Sequence, residues 1–156
     1  MSNRERGKQS LRVWLRLLSC ENQIEQYLRT CLRKEFDVTL PQFDVLSELD
    51  HAGQQLTMSQ LSEKLMVSNG NVTGVVDRLE RNGYVIRQAS PSDRRVQHIL
   101  LTPAGKKKFQ EMATIHEQWV KNLFSDLDAE GLEQLLELLN NTRASVTRNA
   151  KLEQSQ

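Results

Sequence analysis

Apolar residues recur at intervals of three and four through most of the chain, a spacing that places them on one face of an α-helix. The first run extends from Leu11 to Leu32 and predicts a long amphipathic helix from about Lys8 to Glu35. Two capping boxes follow, each with a threonine three residues before a glutamine, and they predict helices that begin after Thr39 and after Thr57. The second of these helices should be short and should stop near Val67.

A fourth helix is predicted directly after this short turn, because Ser68 can cap it and Gly83 can end it. Its apolar residues form a single stripe that we expect to be buried, and three residues of the third helix should also face inward. The stripe of the fourth helix consists of Val72, Val75, Val76 and Leu79, and the inward residues of the third are Leu61, Leu65 and Met66.

Two runs of β-forming residues come next, at 84–87 and 96–101. The stretch between them is rich in turn-forming and charged residues and contains the adjacent arginines Arg94 and Arg95. This pattern predicts a β-hairpin with an exposed, basic tip. The expected fold class is therefore mainly α with a small β-hairpin wing.

Two long helices are predicted to follow the hairpin. Thr102 with Pro103 can open a fifth helix, and Asp128 can open a sixth. The end of the chain, 151–156, is predicted to be a disordered tail. A length of 156 residues suits one domain, or one domain with an appended dimerisation region.

Charge is distributed unevenly, although the formal net charge at pH 7 is only +1. Residues 73–108 contain eight basic and three acidic side chains, an excess of five positive charges, whereas residues 126–139 contain five acidic side chains and no basic one. The middle of the chain is therefore expected to face an anion. No apolar run approaches the roughly 18 residues of a membrane helix, and the N-terminus lacks the apolar core of a signal peptide. We expect a cytoplasmic protein that does not contact a membrane.

The residues that usually carry catalysis or hold metals are scattered along the chain. His51, His98 and His116 are isolated, no Cys/His cluster has metal-ligand spacing, and no glycine-rich phosphate loop is present. We therefore expect no enzyme activity, no catalytic residue, no metal site and no cofactor. Cys20 and Cys31 lie eleven residues apart in one predicted helix, about 16 Å, which is beyond disulfide reach. Packing in the interior is the favoured role for both thiols.

The predicted order of short helix, tight turn, helix and basic hairpin is that of a winged helix-turn-helix, whose second helix enters the major groove of DNA. Opposite its valine stripe, the fourth helix carries small and polar residues. Asparagine can bond an adenine edge, threonine can contact a thymine methyl group, and a helix N-terminus can hold a phosphate. The candidate DNA-binding residues of this helix and its cap are Ser68, Asn69, Gly70, Asn71, Thr73, Gly74 and Arg78.

The hairpin tip adds Arg94 and Arg95 to the candidate DNA-binding residues. In extended structure adjacent side chains leave on opposite sides, so one arginine can reach the minor groove while the other pairs with Asp93. Plainer interpretations remain open at both places. Residues 69–71 can merely form the turn between two helices, and the arginines can be a solvated cluster of charge.

The stretch from Leu61 to Gly105 resembles the multiple antibiotic resistance regulator (MarR) family. Its signature segments are VTGVVDRLERNGYV, the DRR tripeptide and LTPAG, which opens the fifth helix. The resemblance implies a winged helix-turn-helix domain at 37–103 and a homodimer joined through helices at 1–36 and 104–150. It also implies binding to a pseudo-palindromic operator in double-stranded DNA, usually as a repressor that a small ligand releases. Ser90 departs from the pattern, because many members carry a wing aspartate there.

A narrower resemblance involves three segments, LRVWLRLLSCENQIEQYLR, LPQFDVL and LMVSNGNVTGVVDRL. They are similar to the subgroup that regulates aromatic-acid degradation and responds to hydroxycinnamoyl-CoA thioesters, which implies an aromatic acyl-CoA effector. Two alternatives stay open: a redox-sensing repressor of the same fold that uses Cys20, and an architectural protein that binds DNA without a ligand. The rings among the ligand-binding candidates can equally be core residues. These candidates are Trp14, Phe43, His116 and Arg16.

Overall fold

The computed structural model describes residues 2–153, which divide into two compact units after Glu117. The described residues form six helices and three short strands, which confirms the predicted fold class. In chain order the elements are α1 (Asn3–Phe36), α2 (Leu40–Ala52), β1 (Leu56–Thr57), α3 (Met58–Leu65), α4 (Asn69–Arg81), β2 (Val85–Ala89), β3 (Gln97–Leu101), α5 (Pro103–Leu123) and α6 (Ala129–Glu153).

Capping boxes begin the first three helices, at Ser2–Glu5, Thr39–Gln42 and Thr57–Gln60. In each box the side chain of the first residue accepts the backbone N–H of the last, and the side chain of the last accepts the backbone N–H of the first. The two boxes predicted from the sequence are confirmed. α1 begins at Asn3 rather than near Lys8. The predicted start was too late because the first turns of the helix are polar and show no apolar periodicity.

The core lies within the first unit, where the helices pack with the small sheet. The apolar stripe of α4 is confirmed, except that Val75 is only half-buried. The expectation that Met66 faces inward is wrong. Met66 ends α3 in the left-handed region with φ 54°, and its side chain is 89% exposed. The largest fully buried side chains are Leu32, Val45, Leu46, Leu61, Val72, Val76, Leu79, Val85, Ile99 and Met112.

The sheet has three antiparallel strands in the order β1-β3-β2, with β3 in the middle. β2 and β3 form the predicted hairpin, which we call the wing together with its tip at residues 90–96. No sequence signal predicts β1, because a strand of two residues is too short to show alternation. β1 pairs Leu56 with Ile99 and Thr57 with His98, and so connects the start of α3 to the wing.

The start of α5 is bonded directly to the turn that follows α4. The hydroxyl of Thr102 donates to the carbonyl oxygen of Gly83 at 2.6 Å, and its backbone N–H donates to that of Tyr84 at 3.0 Å. The same hydroxyl oxygen accepts the N–H of Gly105 at 3.0 Å. Gly105 lies so close to the turn that a Cβ built there would be 1.9 Å from the carbonyl oxygen of Tyr84. A glycine is therefore required at this position for the LTPAG segment to pack.

The described parts of α1 and α6 each expose several large apolar side chains. In α1 they precede the first buried residue of that helix, Leu28, and in α6 they are spread along most of its length. Amphipathic helices normally bury such residues against another surface. The exposed apolar residues are Leu11, Val13, Trp14, Leu15 and Leu18 in α1, and Leu132, Leu136, Leu138, Leu139, Val146 and Leu152 in α6.

The end of the chain differs from the sequence prediction. α6 continues to Glu153, so the predicted disordered tail does not begin at residue 151, and residues 154–156 lie outside the described part of the chain. Residues 151–153 continue the helical turns of α6 without a break, so they are helical and not part of a disordered tail. Between residues 2 and 153, none of the helices combines the length and apolar character that crossing a bilayer requires.

Candidate DNA interface

The polar face of α4 lies on the surface, opposite the buried face of the same helix. All the residues predicted to bind DNA from this helix and its cap are exposed, while Val72, Val76 and Leu79 are buried behind them. The structure thus brings the predicted residues together on one accessible surface. They are Ser68, Asn69, Gly70, Asn71, Thr73, Gly74 and Arg78.

The N-terminal end of α4 offers backbone donors to an anion. Ser68 caps the helix by accepting the N–H of Asn71 at 3.4 Å, and Asn69 is the first helical residue. Residues 69–71 form the first turn of α4 rather than the turn that precedes it, and their contact with bases stays a prediction. Thr73 donates its hydroxyl to the carbonyl oxygen of Asn69 at 2.8 Å, which leaves its methyl group for an apolar contact with a base.

Gly70 and Gly74 leave open space on the outward face of α4. A Cβ built at either position would meet no atom within 4 Å, and neither residue has a positive φ, so the chain's own fold requires no glycine there. Each glycine inside a helix costs about 1 kcal/mol relative to alanine. Small residues at these positions suit the close approach of a partner surface, as in a DNA groove.

We expect Gly74→Ala to raise stability and lower DNA affinity. The free energy of unfolding should increase by about 0.5 to 1 kcal/mol, because alanine favours the helix and meets no obstacle. Binding to a cognate duplex, measured by fluorescence anisotropy, should weaken because the added methyl group lies on the face of α4 that is predicted to approach the DNA. Gly7→Ala is the matched control, since Gly7 also lies in a helix with open space around it, and it should leave affinity unchanged. Unchanged affinity in Gly74→Ala would refute the close approach.

The tip of the wing holds one arginine in a fixed direction. Asp93 accepts hydrogen bonds from the backbone N–H of Arg95 at 3.0 Å and from its guanidinium Nε and Nη2 at 3.2 and 3.3 Å. The backbone bond, followed by the side-chain bonds, lowers the pKa of the Asp93 carboxyl. The Arg95 side chain is still 91% exposed, whereas Arg94 is exposed and has no ion pair with a described residue. The sequence leaves open which arginine pairs with Asp93, and the structure assigns the pair to Arg95. Because the paired Arg95 side chain is still exposed, pairing with Asp93 does not remove it from the DNA-binding candidates, and the expected division of roles between the two arginines is not required.

Ser90, the departure from the family pattern, is buried inside the wing. Its N–H donates to the carbonyl oxygen of Val96 at 2.8 Å, and its hydroxyl lies 2.9 Å from that of Ser92. A neutral hydrogen bond thus occupies the place where many members carry a charge. Asp93 is the one acidic residue in the sequence of the tip, so no second carboxylate of the tip competes with Asp93 for Arg95.

A third arginine joins the wing to α4. Arg87, on β2, is bonded to the carboxylate of Asp77 and lies 3.6 Å from that of Glu80, both on α4. Its side chain is only 24% exposed. The charge of Arg87 is therefore paired within the protein. The number of basic residues in the sequence of this region is larger than the number of positive charges that are available to DNA. The sequence analysis missed this role, although two acids three residues apart on one helix were a usable signal.

A cavity of about 480 Å³ lies beside α4 and is bordered by α1, α2 and α3 as well. Its lining is mostly apolar with a few polar groups, which is typical of small-molecule sites. The sequence analysis did not predict it, because such a space depends on how four helices pack. The residues that matter below are Glu25 and Arg29 of α1, Asp44 and Val45 of α2, and Asn71 and Val75 of α4.

Asp44 carries the unbalanced charge of this cavity. Burial, with smaller contributions from the acids Glu25 and Glu48, raises the pKa of its carboxyl to about 6, against an opposing effect of Arg29. Arg29 is itself paired with Glu25, and Glu48 lies 4.0 Å from the ammonium group of Lys64. Asp44 has no hydrogen bond or ion pair with the residues that the structure describes. Its carboxylate is therefore the uncompensated one.

Asp44→Asn is expected to stabilise the protein near neutral pH. The folded-state pKa of about 6 exceeds the ordinary value of 3.8, so between these values the folded state keeps a proton that the unfolded state has released. The free energy of unfolding therefore falls as pH rises through this window. At about pH 7.5 the variant should gain about 2 kcal/mol after allowance for solvent, and at about pH 3.5 it should gain nothing.

Urea unfolding at both pH values measures this difference. Asp50→Asn, on the same helix but outside the cavity, is the control and should change stability less. Equal stability of Asp44→Asn and the unaltered protein at neutral pH would show that the carboxylate is compensated.

The predicted ligand-binding residues are not brought into one site within a single chain. Phe43 is buried, and its ring stacks on His116 with 4.7 Å between centroids; burial lowers the pKa of His116. These contacts favour the plainer interpretation of both as core residues. Trp14 is 56% exposed, and Arg16 is exposed about 18 Å along α1 from the buried Leu28. None of the candidates lines the cavity beside α4, and their ligand-binding role stays a prediction.

The two cysteines differ in exposure. Cys20 is exposed, so the expected burial of this thiol is wrong, while Cys31 is half-buried. The difference arises because Cys20 precedes the part of α1 that packs on the core, which begins at Leu28. An accessible thiol is a requirement for redox sensing, so the alternative that uses Cys20 stays open.

The exposed face of α4 and the wing belong to a single structural motif. A short helix, a tight turn, a second helix with an exposed polar face and a basic hairpin define a winged helix-turn-helix protein. The helix N-terminus and the arginines of the tip both suit the phosphates and grooves of DNA. The fold and this surface place the chain in the class of winged DNA-binding proteins.

Comparison with known proteins narrows the class to a family. The sequence profile of the MarR family matches residues 38–96. An uncharacterized HTH-type transcriptional regulator of Bacillus cereus is 34% identical over 128 residues, which cover 81% of this chain and 84% of that protein. The chain belongs to the MarR family, and it is a DNA-binding transcription regulator rather than an enzyme.

Solved structures show the same fold. Wild-type MarR from E. coli, in its apo form, has a TM-score of 0.72 and 28% identity, and the match covers 81% of this chain and 94% of that one. Sco3205 of Streptomyces coelicolor, a MarR family regulator solved in complex with DNA, has a TM-score of 0.75 and 24% identity over 89% of this chain and 88% of its own. MarR regulators bind DNA and act as dimers.

Proposed function

We propose that the chain forms a homodimer that represses transcription by binding a pseudo-palindromic operator and leaves the DNA when a small effector binds. The observation that carries this proposal is the outward face of α4, where Gly70 and Gly74 leave room and Asn71 and Thr73 present groups that read bases. Arg95 at the wing tip supplies the minor-groove contact. Sco3205, a protein of the same fold, was solved with DNA, which supports DNA as the partner.

The uncovered apolar residues of α1 and α6 support the dimer. Burial of apolar surface stabilises association by about 25 cal/mol per Å², before the entropic cost of joining two chains. A second copy of the chain is the partner that we expect to cover these residues, because MarR regulators act as dimers. Twofold symmetry then presents two copies of α4, which should match half-sites centred about 10 bp apart.

The test of this function is selection of bound duplexes from a pool of random sequence. We expect the enriched sequences to contain two inverted half-sites with the spacing of about one turn of DNA. Such a result requires both a dimer and base reading. Enrichment of single half-sites would contradict the dimer, and no enrichment of any sequence would favour the architectural alternative.

Asn71→Ala separates base reading from general affinity in the same assay. The variant should lose about 1 to 3 kcal/mol of preference at one position of each half-site, because an amide that can bond two atoms of an adenine is removed. Binding to unrelated DNA should stay nearly the same. The exposed Asn82, which follows the end of α4, gives the control Asn82→Ala, and it should leave the preference intact. Equal loss on all sequences would assign Asn71 to structure instead.

For the effector we propose an aromatic acyl-CoA, which the narrower resemblance implies. A shallow surface on α1 supports it because this surface carries Arg12 and Arg16. Guanidinium groups suit the CoA phosphates. The test is titration of operator-bound protein with hydroxycinnamoyl-CoA, hydroxycinnamate and CoA separately. Release by the free acid alone, or by none of them, would remove this effector and leave the dimeric repressor.

A further inference from the structure

The cavity beside α4 has apolar walls and a carboxylate that forms no hydrogen bond or ion pair with the described residues. Val45 and Val75 belong to the walls, and Asp44 lines the same space. Transfer of an ionised carboxylate into apolar surroundings is costly unless the charge is paired. A cavity of about 480 Å³ is also large enough for a small organic molecule. The occupant that suits such a space has an apolar body and one positive charge.

The charges on the surrounding helices support this conclusion. On α1, Glu25 and Arg29 are paired with each other, so they contribute little net charge. On α2 and α3, Glu48 and Lys64 form a second, longer pair at 4.0 Å. α4 contributes the neutral Asn71 to the lining. After these pairs are formed, the charge of Asp44 remains, and it repels anions while it attracts cations.

We propose that this cavity is a binding site for an apolar organic cation, of the class of protonated aryl-alkyl amines, whose ammonium group pairs with Asp44. The site differs from the shallow, arginine-lined surface on α1, which suits an anion. The pairing supplies the partner that the carboxylate lacks, and the walls take up the apolar body. Affinity should therefore depend on the charge of the ligand and not only on its apolar surface.

A ligand in this cavity also contacts the helix that reads DNA, and this step rests on the proposed function. Asn71, Val72 and Val75 of α4 all line the cavity, and Asn71 belongs to the DNA-binding surface as well. A ligand that draws Asn71 toward the cavity binds the DNA-free protein better than the DNA-bound one. By linkage, such a ligand must weaken operator binding by the same factor.

The test uses three probes with the same carbon skeleton: phenylbutylamine, phenylbutanol and phenylbutyrate. Isothermal titration calorimetry of the full-length protein at about pH 7.5 should show that the amine binds at least about tenfold more tightly than the butyrate, with the alcohol between them. The butyrate controls for apolar contact, because it differs from the amine mainly in the sign of its charge. If the amine binds no more tightly than the butyrate, or if neither binds, the proposal is overturned.

Two variants connect the preference to the cavity. Asp44→Asn should remove the advantage of the amine over the alcohol, and it should fold because it removes an unpaired charge. Asp50→Asn lies on the same helix outside the cavity and should keep the full preference. At about pH 5, where Asp44 is protonated and the amine keeps its charge, the unaltered protein should behave like Asp44→Asn. A preference that survives in Asp44→Asn would place the cation elsewhere and overturn the site.

A DNA assay keeps this proposal separate from the proposed function. The amine should release a selected operator duplex, with the loss of operator affinity matching its own loss of affinity for the DNA-bound protein. Binding of the amine without release would retain the cavity site and overturn its connection to α4. Failure of the chain to select any operator would overturn the proposed function, while the calorimetric result would still decide the cavity.

Discussion

Gly105→Ala is expected to lower the free energy of unfolding by about 3 kcal/mol, the largest stability effect that a single methyl group should have in this chain. A Cβ at this position would be 1.9 Å from the carbonyl oxygen of Tyr84 and 2.8 Å from its carbonyl carbon. Both are backbone atoms, so no side-chain rotation relieves the overlap. The carbonyl also accepts the N–H of Thr102, and any shift that makes room for the methyl group disturbs this bond.

Urea unfolding followed by circular dichroism measures this loss. Gly70→Ala is the matched control, because that glycine also lies in a helix but has open space around it, and the variant should be slightly more stable than the unaltered protein. A Gly105→Ala protein within about 1 kcal/mol of the unaltered one would show that α5 can move away from the turn at little cost.

Arg95→Ala is expected to have the largest effect on DNA binding, a loss of about a hundredfold in operator affinity, or about tenfold for each wing of a dimer. Asp93 holds the Arg95 guanidinium in place before DNA arrives, so less conformational freedom is lost on binding. The slope of log affinity against log salt concentration should also fall by about two, because one cation is removed from each subunit. The effect should be greatest on sites with A·T-rich flanks.

Arg94→Ala is the matched control for this prediction, because it removes the same charge from the adjacent position. Arg94 has no ion pair with a described residue, so a contact from it must first order its side chain. Affinity and salt slope are measured by anisotropy titrations at several salt concentrations. Equal losses in the two variants would indicate simple charge attraction, and an unchanged affinity in Arg95→Ala would mean that the wing does not touch DNA.

The sequence was sufficient to predict the helices around the DNA-binding surface because their signals are local. The boxes that begin at Thr39 and Thr57 mark helix starts within four residues of sequence, and the valine stripe of α4 fixes which face points outward. Met66 was misplaced because its left-handed φ, rather than the helical period, decides its direction. β1 was missed because it exists only through its pairing with β3.

The remaining features of the site depend on contacts between elements, which the sequence does not show directly. Adjacent arginines at a tip leave on opposite sides, so only the folded turn decides that Arg95 and not Arg94 bonds to Asp93. The pairing of Arg87 with α4 requires the position of β2 relative to that helix. The cavity requires the separation of four helices, and the charge of Asp44 matters only once that space exists.

The two ion pairs of Arg87 should affect how the protein dissociates from DNA. They connect β2 to α4 through a side chain that is mostly buried, so the hairpin and the recognition helix should tilt as one rigid body. Under the proposed docking, one element occupies the major groove and the other the minor groove. Both grooves should then be vacated in a single step, without a half-detached intermediate held by one of them. A small rotation of α4 out of the major groove would therefore also move the wing out of the minor groove.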